Sequence, residues 1–224
     1  MPDTVATNII VFGRGLDADE AGFRLSRASS ERVEAFLAYV GSNADAFAPE
    51  PGRVVFSGGW PRVTHGANAP PARFREGSLM LELAERADIG GTNLSQYVQA
   101  YCEIDSDSTL ENALRTKEAG YFDRVCFTAA NPLGLVAHRA HLARIDFVIR
   151  RVFGLPRNAV VQIVASGPDN RSIPEGILVF VTRLAFLGAR TDASLRRRHQ
   201  ILVRARRRWR SRKLRPVARL RQAR

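Results

Sequence analysis

Apolar and polar positions along the chain follow two periods. Runs of four to six apolar residues, as expected of strands buried on both faces, are separated by segments whose apolar residues recur every three or four positions. The run Asn8–Phe12 (NIIVF) reads as a first buried strand and leads straight into Gly13 and Gly15. Residues 25–40 read as a helix, with Ala28, Val33, Phe36, Leu37 and Val40 at helical spacing. Residues 53–56 (RVVF) predict a second strand, which runs into Ser57, Gly58 and Gly59. A long loop follows, with Pro61, His65, Gly66, Pro70 and Pro71, and then a helix from about Phe74 with Leu79, Met80, Leu83 and Ala87 on one side.

The second half repeats the alternation. Residues 97–104 predict a third, weaker strand, and Ser108 followed by Glu111 has the form of a capping box at the start of a helix that ends near Gly120. Residues 125–128 (VCFT) read as a fourth strand. A helix is predicted over 135–153, striped by Leu142, Ile145, Ile149 and Val152 and closed by Gly154. Residues 159–165 read as a fifth strand, and Ser172 with Glu175 forms another capping box before an apolar helix reaching about Gly188. Five strands alternating with helices predict an α/β fold. The expected architecture is a three-layer, Rossmann-like sandwich with a mostly parallel five-stranded sheet covered by helices on both faces.

Charge changes the picture at one end only. The net charge is +12, yet 14 of the 34 Lys and Arg lie in residues 196–224, which contain no Asp or Glu. The remaining 195 residues are close to neutral, at −2. The chain therefore divides into a body, 1–191, and a basic tail, 192–224, in which Leu195, Leu202 and Trp209 recur every seven residues and Pro216 would end a helix. The tail reads equally as a solvated extension or as a contact for an anionic membrane surface or a nucleic acid. Cys102 and Cys126 alone exclude a disulfide framework, and with no Cys/His pair nearby no metal site is expected. The N-terminus lacks the pattern of a signal peptide, and the apolar run 177–189 is interrupted by Arg183. A cytoplasmic protein, peripheral at most to the inner membrane face, is expected.

Candidate chemistry clusters at the ends of predicted strands, where parallel α/β sheets bind ligands. Gly13-Arg14-Gly15 and Ser57-Gly58-Gly59 suit an anion cradle, although an ordinary tight turn needs the same residues. Ala18 stands where a third dinucleotide glycine would fall. The stretch from Glu103 to Asn112 joins carboxylates, hydroxyls and an amide at a strand end and helix start, reading as a site or as overlapping caps. Thr128 closes the predicted fourth strand. His138, Arg139 and His141 read either as an acid–base or phosphate-binding group or as a solvated helix face.

These motifs, in this order, resemble the bacterial ElyC/SanA/YdcF family. The resemblance runs over about residues 8–165. It is carried by IIVFGRGL, Arg24-Leu25-Ser26-Arg27-Ala28, Val54-Val55-Phe56-Ser57-Gly58-Gly59, Glu76 with Met80, the string Glu103-x-x-Ser106-x-Ser108-Thr109-x-Glu111-Asn112-Ala113, and Thr128 before a helix with Arg139-Ala140. Ser108 stands where the family often has Asn, and Val136 at the spacing of its His-x-x-Arg-Ala histidine.

The resemblance implies a Rossmann-like fold with one polar pocket. Its residues would be Gly13, Arg14, Gly15, Ser57, Gly58, Gly59, Glu76, Ser106, Thr109, Asn112, Thr128 and Arg139, with Glu103 and Glu111 as acid–base candidates. It also implies two functional expectations. One is binding of a nucleotide-like small molecule, with S-adenosylmethionine as the cofactor that the soluble YdcF-like branch suggests. The other is an envelope factor handling a phosphorylated cell-wall or lipid-carrier precursor at the inner membrane face.

Overall fold

The strand β1 (Asn8–Phe12) is buried at all five positions, as a strand covered on both faces must be. In the computed structural model, which describes residues 4–19, 22–60, 69–167, 175–189 and 191–204, β1 is the middle of a five-stranded sheet. Its partners are β4 (Gly52–Ser57), β5 (Val98–Glu103), β6 (Leu133–His138) and β7 (Val160–Ala165), in the order β5-β4-β1-β6-β7. Every pairing in this sheet is parallel, with Ile10 opposite Val55 on one side and Leu135 on the other. The fold is a three-layer, Rossmann-like α/β sandwich.

Helices α1 (Arg27–Ser42) and α3 (Glu76–Glu85), with the short α2 (Ala44–Phe47) beside α1, cover one face. There Val33, Phe36, Val40, Met80 and Ala84 meet Ile9, Val11, Val54 and Phe56 of the strands. Phe36 and Phe56 meet edge to face at 5.5 Å. Helices α4 (Thr109–Glu118) and α5 (Arg139–Phe153) pack on each other and on the strands. Their stripes, Leu110 and Leu114, then Leu142, Ile145 and Ile149, are buried. Gly154 ends α5 in the left-handed region at φ 71°, the conformation that selects glycine. Helix α6 (Glu175–Ala185) and a helical segment over 192–204 follow. The chain separates into two compact units, Met1–Val179 and Phe180–Arg224. Among the described residues no helix is long and apolar enough to cross a membrane.

Three expectations are corrected. The fourth sheet strand is not 125–128, which is irregular chain without sheet pairing, but β6, whose six residues are all buried. The predicted helix over 135–153 therefore begins only at Arg139. Periodicity misled here because Leu135, Ala137 and the apolar residues of α5 continue one another at helical spacing across the junction. Residues 16–25 also form an antiparallel hairpin, β2 (Leu16–Asp19) with β3 (Gly22–Leu25), that apolar runs do not reveal. In α3 the buried side is Glu76, Gly77, Met80 and Ala84, while Leu83 is exposed. His65, the capping-box residues Ser172 and Pro174, and the tail positions Trp209 and Pro216 lie outside the described residues.

The strand correction has a thermodynamic consequence. Leu135→Ala empties a fully buried site and is expected to cost about 2–5 kcal/mol in equilibrium denaturation. Thr128→Ala, at an exposed turn, is expected to cost under about 1 kcal/mol. The reverse order would return the strand to 125–128.

Candidate functional site

A cleft of about 220 Å³ opens beyond the carboxyl ends of β1, β4 and β5. The sheet order turns at the β1–β6 boundary, so the cleft lies by the switch point where such sheets hold ligands. Its lining residues are Gly13, Arg14, Gly15, Gly58, Gly59, Glu76, Ser106, Asp107, Ser108, Thr109, Asn112, His141 and Arg144. Every one is glycine, polar or charged. A larger cavity of about 450 Å³ lies elsewhere, lined by Thr4, Ala129, Pro132 and Gln162 among others, and has no acidic or basic side chain in its lining. The smaller cleft holds the chemistry.

The glycine turn after β1 cradles an anion, and that anion belongs to the protein. Glu76, 5% exposed at the start of α3, accepts at Oε1 from the backbone N–H groups of Arg14 and Gly15 and, at 2.6 Å, from the Ser29 hydroxyl. Glycine is required around it, because a Cβ on Gly13 would overlap the Glu76 carboxyl carbon and one on Gly58 would lie 2.6 Å from Oε2. Gly59 leaves room for the backbone of Ile104 and Ser106 in the same way. The Gly13–Gly15 amides that a phosphate would use are thus already committed.

Below the cleft, Glu103 organises the loop behind β5. Its Oε2 accepts from Ser57 Oγ at 2.9 Å, and its Oε1 from the amides of Asp105 and Ser106 at 2.8 and 2.9 Å. The Ser57 carbonyl in turn accepts from Gly13 N at 2.8 Å and Asn112 Nδ2 at 3.2 Å, joining the ends of β1 and β4 to α4. The loop delivers Ser106, whose buried hydroxyl has no hydrogen-bond partner among the described residues. Ser108 then caps α4, its Oγ accepting from Glu111 N at 3.3 Å. The first-turn amides of α4 face the cleft side with the positive end of the helix dipole.

The opposite wall rests on Arg32, fully buried in α1. Its Nη1 donates to the carbonyls of Phe12 at 2.7 Å and Gly13 at 2.9 Å, and its Nε to His138 Nδ1 at 3.1 Å. A guanidinium only donates, so His138 carries its proton on Nε2, which donates to Glu31 Oε2 at 3.0 Å. Burial opposes the charge on Glu31, but hydrogen bonds from His138 and Arg27 outweigh it and hold the carboxyl below its ordinary range. Arg32 Nη2 reaches His141 Nδ1 at 2.8 Å. Beyond it, Arg144 Nη2 lies 3.0 Å from His141 Nε2, and its Nη1 donates to Thr109 Oγ1 at 2.9 Å.

Most of the expected pocket residues come together. Gly13, Arg14, Gly15, Gly58, Gly59, Glu76, Ser106, Thr109 and Asn112 line the cleft, and Ser57 and Glu103 support its floor. Both Glu103 oxygens are engaged in anchoring the loop, and the residue lies beneath the cleft and not in its lining. Glu111 pairs with Arg115 along α4 and does not line the cleft. Thr128 sits in an exposed turn ahead of β6, away from the strand ends that carry the cleft, because the strand it was expected to close is not formed. Arg139 is exposed at the first position of α5 and lies outside the lining. Arg144 and the buried Arg32 are the residues that sequence reasoning missed. The His141-x-x-Arg144 spacing was the available signal for Arg144. Among the described residues no cluster of His, Cys, Asp and Glu has the form of a metal site. Comparison with known proteins finds no matching family model, curated protein or solved structure.

Glu76→Ala removes the acceptor of the Gly15 N–H, while the Arg14 N–H keeps Ser29 Oγ and the Ser29 hydroxyl keeps the Gly15 carbonyl, each at 3.0 Å, and should lower unfolding free energy by about 1–3 kcal/mol. A loss under about 0.5 kcal/mol in urea denaturation, the range of an ordinary surface change, contradicts the cradle.

Proposed function

We propose that this chain binds a small, hydrophilic, anion-bearing molecule, of the nucleotide or S-adenosylmethionine kind, in the cleft at the strand ends. The observation that carries the reading is Ser106. Among the described residues its hydroxyl is buried and unpartnered, in a cleft that they line with glycine and polar side chains. An unmet buried hydroxyl costs stability, and a ligand oxygen would remove that cost. Arg14, Arg144, His141 and the α4 N-terminus supply positive potential for a phosphate or carboxylate. Glu76 Oε2, which has no hydrogen bond among the described residues, accepts from a ribose hydroxyl or an amine. A cleft of about 220 Å³ takes the sugar–phosphate or amino-acid part of such a ligand and leaves a base at its rim. The His-x-x-Arg spacing that the resembled family carries, interrupted at Val136, recurs as His141 and Arg144, and both line the cleft.

Calorimetric titration with S-adenosylmethionine and with adenosine 5′-monophosphate tests the reading. One of them is expected to bind, and Ser106→Ala should weaken that binding about fivefold or more while leaving thermal stability unchanged or higher. Absence of heat with both, or an affinity indifferent to Ser106→Ala, counts against it.

The envelope reading is favoured by a separate observation in the Phe180–Arg224 unit. Phe180, Leu184 and Leu187 are 65, 61 and 70% exposed along one side of the chain, and the 14 basic residues of 196–224 follow. An apolar helix side followed in the sequence by clustered arginines is the composition that anionic bilayer surfaces attract. Full-length protein should co-sediment with phosphatidylglycerol-containing vesicles at low salt. The triple change Phe180→Ser, Leu184→Ser, Leu187→Ser should reduce the bound fraction severalfold. Wild-type protein that stays in the supernatant rejects this second reading.

A further inference from the structure

Glu76 is a buried carboxylate with one oxygen still to fill. It is 5% exposed, and its Oε1 takes two backbone N–H groups and the Ser29 hydroxyl. Its Oε2 accepts no hydrogen bond among the described residues, and it lies against Gly58, where a Cβ would come within 2.6 Å of it. Glu76 lines the cleft, and Oε2 is not enclosed as the Ser106 hydroxyl is, so it is open to what enters there.

The charge of Glu76 is unmet as well. Its donors are neutral, and among the described residues it enters no ion pair with arginine, lysine or histidine. Its place as the first residue of α3 favours the negative charge through the helix dipole but brings no cation. A carboxylate withdrawn from water without a counter-charge is costly. An ammonium supplies both a hydrogen bond and the missing charge, whereas a hydroxyl supplies the hydrogen bond alone. A bare divalent ion fits less well. It asks for a shell of about six oxygens, and among the described residues no group of three His, Cys, Asp or Glu side chains is placed to hold one.

The second unmet atom marks the other end of the ligand. Ser106 is 1% exposed, and its hydroxyl has no partner among the described residues. It stands on the loop that runs into the ten-residue helix α4, whose N-terminus favours an anion. Gly59 packs against the Ser106 backbone as Gly58 packs against Glu76, a Cβ on Gly59 falling 2.7 Å from Ser106 N. The two groups therefore lie beside consecutive residues, whose Cα atoms are about 3.8 Å apart, within the span of one small molecule.

We infer that the cleft takes a zwitterion of the α-amino acid class, with its ammonium on Glu76 Oε2 and its carboxylate on the Ser106 hydroxyl and the α4 N-terminus. The molecule is a free amino acid or a larger one that ends in an amino acid. Asp107 and the arginines of the lining give the cleft both signs of charge, as a zwitterion requires. The inference rests on the small-molecule reading of this cleft and adds the cationic half of the ligand.

Proton–nitrogen spectra of ¹⁵N-labelled full-length protein test it. The Gly15 amide, which donates to Glu76, reports on the ammonium end, and the Ser106 amide reports on the carboxylate end. The probes are matched pairs that differ only in ammonium against hydroxyl: glycine with glycolate, and L-methionine with its 2-hydroxy analogue. The amino acid of at least one pair should shift both resonances saturably, and its hydroxy partner should need about tenfold or more concentration. Glu76→Gln should abolish that preference, and Ser106→Ala should weaken both members alike. The wild-type comparison decides even if Glu76→Gln fails to fold. S-adenosylmethionine separates the two sources. Much tighter binding than L-methionine assigns a nucleoside-linked amino acid, and equal binding a free one.

Hydroxy acids that bind as well as their amino acids overturn the zwitterion. So does a preference that survives in folded Glu76→Gln, or a Gly15 response to magnesium chloride with none to the amines. If adenosine 5′-monophosphate binds in a Ser106-dependent manner while the ammonium brings no advantage, the zwitterion fails and the anion-bearing reading stands. If none of these molecules moves either resonance, both fail.

Discussion

A guanidinium with no solvent exposure holds this site together. Burying a charge is costly, and a buried arginine persists only where acceptors surround it. Arg32 finds them in the carbonyls that end β1, the ring of the last residue of β6, and a ring in the first turn of α5. These groups lie on the two sides of the switch point in the sheet. One side chain on α1 thus fixes the spacing between strand ends that are more than 100 residues apart in sequence. It also orients both histidines. The cleft walls are set by the same bonds that stabilise the junction.

Glu76 is the matching negative feature on the other side. The β1 turn has the amide arrangement that many folds use to bind phosphate, and here a carboxylate from α3 takes that position. The consequence is a division of labour. The glycine turn serves architecture, while the groups left for a ligand come from the loop after β5, the start of α4, and His141 with Arg144. A Rossmann-like sheet therefore does not by itself imply a dinucleotide held at its first turn, and function has to be argued from the side chains present.

Much of this was legible in the residues. The buried strands declare themselves as unbroken apolar runs, and the Glu103–Asn112 stretch marks the cleft because hydroxyls, an amide and carboxylates have no reason to gather at a strand end otherwise. What was not legible depends on distance in space. Arg32 stands next to Val33 in the apolar stripe of α1 and reads as a surface residue, since its partners are far away in sequence. The strand β6 was read as helix because Leu135 and Ala137 fall in step with the stripe of α5. Residues 125–128 have the form of a short apolar run, and such a run reflects packing context more than backbone preference. Thr128 and Arg139 lie outside the cleft lining, and the arginine that orients the histidine pair, Arg32, is more than 100 residues from them in sequence.

The central claim is that the cleft binds an anion-bearing small molecule against the buried Ser106 hydroxyl. Its most direct test is a crystal of the full-length protein soaked in tungstate, a heavy tetrahedral oxyanion, with anomalous scattering recorded at the tungsten edge. The account predicts a peak in the cleft within hydrogen-bonding reach of the Ser106 hydroxyl. Peaks confined to the arginines of 196–224, with the cleft left unlabelled, would contradict it.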